Sequence, residues 1–561
     1  MDVSARPWLL LLGWLVLNVL QAALSPLDPD ETYYWMYAGE LAWGYYDHPP
    51  AVAVLISLGR DWLPGALGIR LGHVLLGTAT VAGLYLLLGR PRGRDLGLAA
   101  ALIFAQPLLQ VYAFIATPDG PLLFCTVLYL LAYRHYLRVP TPGRGLLWGV
   151  TMAGLLYSKY QGVVLILFTV LPVLFRLIRQ PGAWVAALSG FLLFVPHLYW
   201  QWVHDFPSFR YHLVGRNDPY RIGHTLGYIR DQLLVFSPFL LYHYARSLAL
   251  SWPRAAFSRY CRWLIIGVLL FFLYATSRGR TEAHWTALLS VPLVYLLYRT
   301  VTERFPHWRE AVLRLSVVSG LILLIARVLL VAPREWLPFT KPFDHAPWVA
   351  ELANLAGDRP VVFQNSYRLA SLYRFYSGRA GWTFTDVGYR LNQYDLREGG
   401  RRFHGDTILL AGQPTWGATG TRTFRAGRSL LRLREVPDFQ MAAPVSITAT
   451  VAAPGTVRPG SSVEASLRAA SPHTLHLRSR LPLFLYAILR YDDGRLRYWK
   501  LSGSVTERLP GRDTVALYRG PVTVPPSAPP GEVGLEFGLG YQGMPPLLGQ
   551  SNKSELTIGA K

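Results

Sequence analysis

Residues 28–50, DPDETYYWMYAGELAWGYYDHPP, decide how the rest of the chain is read. They place Asp28, Asp30, Glu31, Glu40, Asp47 and His48 among seven aromatic rings. An apolar run at 8–24 precedes them directly, long enough to enter a bilayer. Ionisable side chains at a membrane boundary carry a desolvation cost, so a cluster of them marks a functional site by default. The remaining chain reads as a scaffold for this loop.

Composition agrees. The 561 residues are 52% hydrophobic and 16% charged, a low charge content that suits a membrane protein with a water-exposed part. Only five of the 55 basic residues are lysines, and the net charge is +22. No helix-turn-helix, RNA-recognition or zinc-finger pattern accompanies that charge, which excludes nucleic acid as the expected partner. Cytoplasmic loops and anionic head groups account for it. Cys125 and Cys261 both lie in apolar runs, without disulfide or metal-ligand spacing. The 8–24 run has only Arg6 ahead of it and no small-residue cleavage site before Pro26, so it reads as a retained first helix rather than a secretory signal.

Apolar runs of the length that a hydrocarbon core of about 30 Å requires predict eleven spans, near 8–27, 66–89, 96–116, 120–138, 145–158, 160–178, 183–203, 225–247, 262–277, 283–298 and 311–332. With the N-terminus cytoplasmic, the inner loops carry Arg90, Arg92, Arg94, Arg134, Arg138, Arg144, Arg176, Arg179, Arg246, Arg254, Arg259, Arg262, Arg299, Arg304, Arg309 and Arg314. The outer side holds the acids Asp28, Asp30, Glu31, Asp47, Asp61, Asp119, Asp205, Asp218 and Glu282. Both signals put the 28–50 loop and the C-terminal third outside the cytoplasm.

Past residue 332 the hydropathy falls. Residues 333–438 alternate amphipathic helices with short apolar strands and predict a small α/β domain. Residues 439–561 cluster apolar residues between Gly, Pro and Asp-Asp turns and predict a β-sandwich of six to eight strands. The expected fold is therefore a polytopic α-helical membrane protein with about eleven spans and two extramembrane domains, 1–332, 333–438 and 439–561. The tyrosines and tryptophan at 486, 491, 498 and 499 are expected to pack within the β-domain rather than form a glycan platform.

Several residues carry chemistry. Asp30 and Glu31 at the mouth of a bundle can coordinate a divalent cation or take a proton from an acceptor, and Asp30 can alternatively cap the following helix. Asp119, in ATPDGPLLF, lies on the same membrane face, with a capping alternative of its own beside Pro121. Lys159 interrupts an apolar stretch and is the only lysine among the first 340 residues. A buried ammonium needs an anion, unless it snorkels to the surface. SRGRTEAHW adds Arg278 and Arg280, whose forked donors suit phosphate or lipid head groups, with Glu282 and His284 beside them.

Together DETYYWMYAGELAWGYYDHPP, TPDGPLLF, LLYSKYQGV and RGRTEAHW resemble the bacterial C-type (GT-C) glycosyltransferases, the protein O-mannosyltransferase-like and aminoarabinose-transferase-like enzymes that use polyprenyl-phosphate sugars. The resemblance covers about 8–331, with weaker echoes in VVFQNSYRLASLYRFY and NQYD. It implies a catalytic or metal-binding role for Asp30 with Glu31 beside it, and makes Asp119 a second acid facing it, so that Asp30 and Asp119 are the expected ligands of any divalent metal. It places Lys159 near the donor phosphate, with His48, Arg280 and Arg278 as further phosphate contacts. His48-Pro49 departs from the Lys-Pro of aminoarabinose transferases. Tyr33, Tyr46, Glu282 and His284 complete the expected substrate contacts. The implied partners are a polyprenyl-phosphate sugar and a lipid, glycan or protein acceptor, at the outer face of a bacterial cytoplasmic membrane. A lipid-sugar flippase is the rival reading; against it, the spans show no repeated halves and the acids gather in one outer loop. A membrane anchor presenting the β-domain is a third.

Overall fold

The computed structural model describes residues 7–213, 219–250, 256–332, 344–396, 398–416, 420–452, 456–491 and 494–559. Asp218, Arg254, the expected boundary at 332/333 and the Asp492-Asp493 turn lie outside them. The chain forms two compact units, Met1–Thr340 and Lys341–Lys561.

The first unit is helical: α1 (Pro7–Leu24), α2 (Pro29–Ala38), α3 (Ala51–Arg60), α4 (Gly65–Leu87), α5 (Gly93–Phe104), α6 (Pro107–Val111), α7 (Asp119–Arg138), α8 (Pro142–Ser158), α9 (Gly162–Val170), α10 (Leu174–Leu177), α11 (Pro181–Val203), α12 (Pro207–Leu213), α13 (Ile222–Val235), α14 (Leu241–Ala249), α15 (Ala256–Ala275), α16 (Ser290–Arg299) and α17 (Arg309–Val331). Five stretches among the described residues, Pro7–Leu24, Gly65–Leu87, Pro181–Val203, Ala256–Arg278 and Pro306–Val331, are long and apolar enough to cross a membrane. The other expected spans are shorter, more polar or interrupted. Pro107 opens α6 and splits the 96–116 run, because proline has no N–H to continue the ladder. Pro172 turns the end of α9 into a 3-10 turn. Ser237, at φ 62°, with Pro238 after it, divides 225–247 into α13 and α14.

Small residues let helices touch along their backbones. Gly145 and Gly149 on α8 face Gly182, Ala186 and Gly190 on α11, and a Cβ on Gly145 or Gly149 would enter the opposing backbone. Tyr129, Tyr133 and Tyr136 of α7 pack their rings on Trp148 of α8, all at most 1% exposed. Large rings buried against one another in this way hold α7 and α8 together.

The second unit opens with α18 (Ala346–Ala356), then β1 (Val361–Gln364), α19 (Tyr367–Ser377), β2 (Gly381–Phe384), α20 (Gln393–Leu396), β3 (Ile408–Gly412), β4 (Arg422–Ala426) and β5 (Ser429–Val436). The sheet order is β2-β1-β3-β5-β4, with β1 parallel to both neighbours and β5 antiparallel to β3. Each parallel neighbour needs a crossover, which α19 supplies between β1 and β2. Ten strands follow: β6 (Ser446–Ala452), β7 (Thr456–Val457), β8 (Ser462–Ala470), β9 (Leu475–His476), β10 (Leu483–Tyr491), β11 (Leu496–Lys500), β12 (Arg508–Leu509), β13 (Thr514–Thr523), β14 (Gly531–Tyr541) and β15 (Ser554–Ile558). They form the sheets β11-β10-β14-β15-β7 and β13-β8-β6 and the short pair β12-β9. Trp416 Nε1 donates to Gln542 O at 3.1 Å, and Val387 N to Pro546 O at 2.9 Å, so the α/β sheet and the later strands share contacts.

His404 and His473 stack in this unit with ring centroids 4.7 Å apart and an 11° interplanar angle. Burial lowers the His404 pKa, and the neighbouring His473 adds to it; burial and then Arg401 lower that of His473. The folded pair therefore binds fewer protons than the unfolded chain below the ordinary histidine pKa of about 6.5. Its contribution is complete above that pH and is lost as the pH falls below it. Thermal melts between pH 8 and 5 are expected to show this acid loss in the wild type and less of it in His473→Gln. Equal pH slopes for the two proteins would remove the assignment.

Candidate active site

The site grows from the start of α2. Asp28 caps the helix by accepting from Asp30 N at 2.8 Å, Pro29 occupies the first turn, and Glu31 Oε2 accepts from Asp28 N at 2.9 Å. This reciprocal box satisfies two backbone donors that a helix start leaves open. The cap is Asp28, two residues earlier than the Asp30 alternative.

The adjacent acids then part. Asp30 is half-buried, whereas Glu31 is 0% exposed. Glu31 is gripped by Arg70 of α4, Nε to Oε1 at 2.7 Å and Nη2 to Oε2 at 2.5 Å, and also accepts from Ala116 N at 2.8 Å. Arg70, 1% exposed, further donates to the carbonyls of Ala22, Ser25 and Pro26 at 3.1, 3.0 and 2.8 Å. A bidentate guanidinium whose other nitrogens also find acceptors is the geometry in which a buried ion pair is tolerated. The Phe114 ring lies beneath Arg70, 5.7 Å away, and Arg327 of α17 sits 4.9 Å from the same ring. Arg327 is held by Gln110, Asn18 and Gln21 at 2.6, 2.9 and 3.3 Å.

Two of the expected site residues meet directly. Lys159 Nζ lies 2.8 Å from both carboxylate oxygens of Asp119, and each residue is 3% exposed. Asp119 starts α7, and Lys159 ends α8 in an extended conformation (φ −165°, ψ 145°) that separates α8 from α9. An open apolar cavity of about 330 Å³ lies alongside, lined by Trp43, Leu55, Leu76, Pro121, Phe124 and Tyr157 among others. Pro121 and Ser158 place it beside the pair.

The far end of the first loop is aromatic and mostly buried. Tyr33 and Tyr37 donate to Asp47 Oδ2 at 2.7 and 3.1 Å, so the Tyr33 hydroxyl serves the loop. Tyr46 packs 6.0 Å from Tyr211. His48 is half-buried, edge-on to Tyr34 at 5.6 Å. Arg278 and Arg280 are exposed, Arg280 being 3.7 Å from Glu282, and His284 is half-buried.

Of the two expected metal ligands, Asp119 faces the Lys159 ammonium, and Asp30 stands at the start of α2. An ammonium occupies both Asp119 oxygens, and no group of three or more His, Cys, Asp or Glu is placed to hold an ion among the described residues. Sequence reasoning missed Arg70, whose signal was a charge inside an apolar run. It also missed Arg327 and the amides around it.

Residues 47–200 match the family model described as dolichyl-phosphate-mannose-protein mannosyltransferase, a stretch that holds His48, Asp119 and Lys159. Over 339 residues the chain is 24% identical to the lipid A galacturonosyltransferase RgtD of Rhizobium johnstonii, an alignment covering 56% of this chain and 64% of that relative. The fold matches ArnT from Cupriavidus metallidurans in the apo state, with a TM-score of 0.57, 12% identity and coverage of 76% of this chain and 97% of ArnT. The undecaprenyl-phosphate-bound form of ArnT gives a TM-score of 0.59 at 14% identity, covering 77% and 98%. The resemblance to these glycosyltransferases is thereby borne out, and the chain has the helical fold of ArnT.

Proposed function

We propose that this chain is an integral-membrane glycosyltransferase that moves a sugar from a polyprenyl-phosphate donor to a lipid, glycan or protein acceptor, with inversion at the anomeric carbon. The observation that carries the reading is the buried Asp119–Lys159 pair beside an apolar cavity. An isoprenoid chain is apolar and can run through such a cavity, and its phosphate is an anion that the Lys159 ammonium can meet beside Asp119. ArnT, with the same fold, has been solved with undecaprenyl phosphate bound, which supports that donor class here.

In this mechanism the donor phosphate takes a share of Lys159 from Asp119, and His48, Arg278 and Arg280 supply further donors. Asp30, on the half-buried edge of α2, removes the acceptor proton as its oxygen or nitrogen attacks the anomeric carbon. The sugar–phosphate oxygen bond breaks, and the polyprenyl phosphate leaves with the electron pair, its charge met by Lys159. Tyr33 and Tyr46 shape the pocket, and Glu282 and His284 contact the acceptor side. The topology we favour keeps eleven spans with the N-terminus cytoplasmic, and the 28–50 loop and C-terminal domains (divided near 438/439) outside the cytoplasm of a bacterium.

Purified protein in vesicles, given a panel of radiolabelled undecaprenyl-phosphate sugars with lipid and glycan acceptors, tests the reading. Label leaving the polyprenyl phosphate for an acceptor is the expected result. Label that crosses the bilayer still on its lipid would make the protein a flippase instead.

A further inference from the structure

We propose that the α11–α12 elbow clamps the first loop onto the α8–α9 junction at Lys159, and that His197, Gln201 and Ser208 are positioning residues for transfer. This rests on the glycosyltransferase reading above. The observation is that backbone carbonyls at four nearby positions in the loop, Trp43, Tyr45, Tyr46 and Asp47, all meet side chains from this one elbow.

The directions of the hydrogen bonds can be assigned, because a carbonyl only accepts. His197 Nδ1–H donates to Trp43 O at 2.7 Å, which leaves Nε2 as an acceptor. Nε2 then accepts a hydrogen bond from the Tyr160 hydroxyl at 3.1 Å, and the same hydroxyl accepts from Gln201 Nε2 at 3.1 Å. Gln201 Nε2 also donates to Ser208 Oγ at 2.8 Å, while its Oε1 accepts from Ser208 N at 3.3 Å. Ser208 Oγ shares its single proton between Tyr45 O and Tyr46 O, at 3.0 and 2.8 Å. His212 Nε2 reaches Asp47 O at 3.3 Å. One continuous chain therefore runs from the residue after Lys159 to both flanks of the loop that ends in Asp47 and His48.

His197, Gln201 and Ser208 are each 0% exposed, and a polar triad in a membrane helix end is retained against a desolvation cost. The elbow itself is strained: Asp205 and Phe206 are consecutive non-glycine residues at φ 63° and 52°, a region that side chains disfavour. The chain turns there so that Ser208 comes back to Gln201. Gly44 completes the fit, since a Cβ on it would enter the Trp200 ring and stand 3.0 Å from His197 Nδ1. None of these groups is consumed by the proposed chemistry. Their effect is to set the loop and Lys159 in one frame, and near-attack geometry is sensitive to displacements of about 1 Å.

Ser208→Ala, Gln201→Met and the double variant, made in the full-length protein, test the clamp. Amide exchange at 42–48 is expected to rise about tenfold in each, the scale of one lost buried hydrogen bond. Turnover at saturating donor should fall about tenfold, since the clamp sets Lys159 and the His48 end of the loop in the reacting geometry. Because one chain is cut at either link, the double variant should match a single rather than multiply the losses. Unchanged loop exchange, exchange raised evenly through the whole bundle, unchanged turnover, or multiplicative losses would each overturn the proposal. A wild-type protein that transfers no sugar would sink the transferase reading separately and remove the catalytic half of this one, while the exchange result still decides whether the clamp exists.

Discussion

Asp30→Asn is expected to cut sugar transfer by roughly 10³-fold in a protein that still inserts into the membrane. The expectation follows from how the two neighbouring acids divide their work. Glu31 belongs to the fold: it pairs with Arg70, receives Ala116 N and closes the capping box. Asp30 enters that box through its backbone N–H, donated to Asp28 Oδ1. An asparagine side chain of the same shape leaves that N–H in place and removes the base. Single-turnover assays beside a membrane-insertion assay check the pair of outcomes. Near-normal transfer by Asp30→Asn would move the base elsewhere in the site.

Lys159→Met is expected to lose both activity and about 3–5 kcal/mol of stability, because it leaves the Asp119 carboxylate buried without its counter-ion. The two losses separate in a double variant. Lys159→Met with Asp119→Leu removes both charges, and replacing a buried pair with apolar groups is often close to neutral for stability. That protein should regain most of its melting temperature and none of its transfer activity. Recovery of activity together with stability would show that Lys159 matters only as a structural partner of Asp119, and would leave the donor phosphate without its proposed cation.

These expectations show what a sequence exposes and what it conceals. Asp30, Asp119 and Lys159 were legible because each is a charge in an apolar setting, and because four short motifs recur in order along a membrane protein. The meeting of Asp119 with Lys159 was not legible, since residues 40 positions apart carry no mark of contact. Arg70 was hidden for a related reason. Three of its partners are backbone carbonyls, and a carbonyl has no letter. His197, Gln201 and Ser208 were read past as parts of an apolar helix and its end, although each is a buried polar group. Counting spans by hydropathy also merged helices that Pro107, Pro172 and Ser237-Pro238 divide, because apolar composition continues across a proline that the hydrogen-bond ladder does not.

The Arg70 grip has a consequence for biogenesis. The carbonyls at the end of α1 and the Glu31 carboxylate are finished by a side chain from α4, and Ala116 N adds the last donor to Glu31. Synthesis makes Glu31 and the end of α1 before Arg70, so their side-chain and backbone partner comes from a later helix. The loop becomes a structure only when the next long helix inserts, and it is sealed only when the segment leading to Asp119 follows. The grip closes in chain order: Glu31 first, Arg70 of α4 next and Ala116 N last.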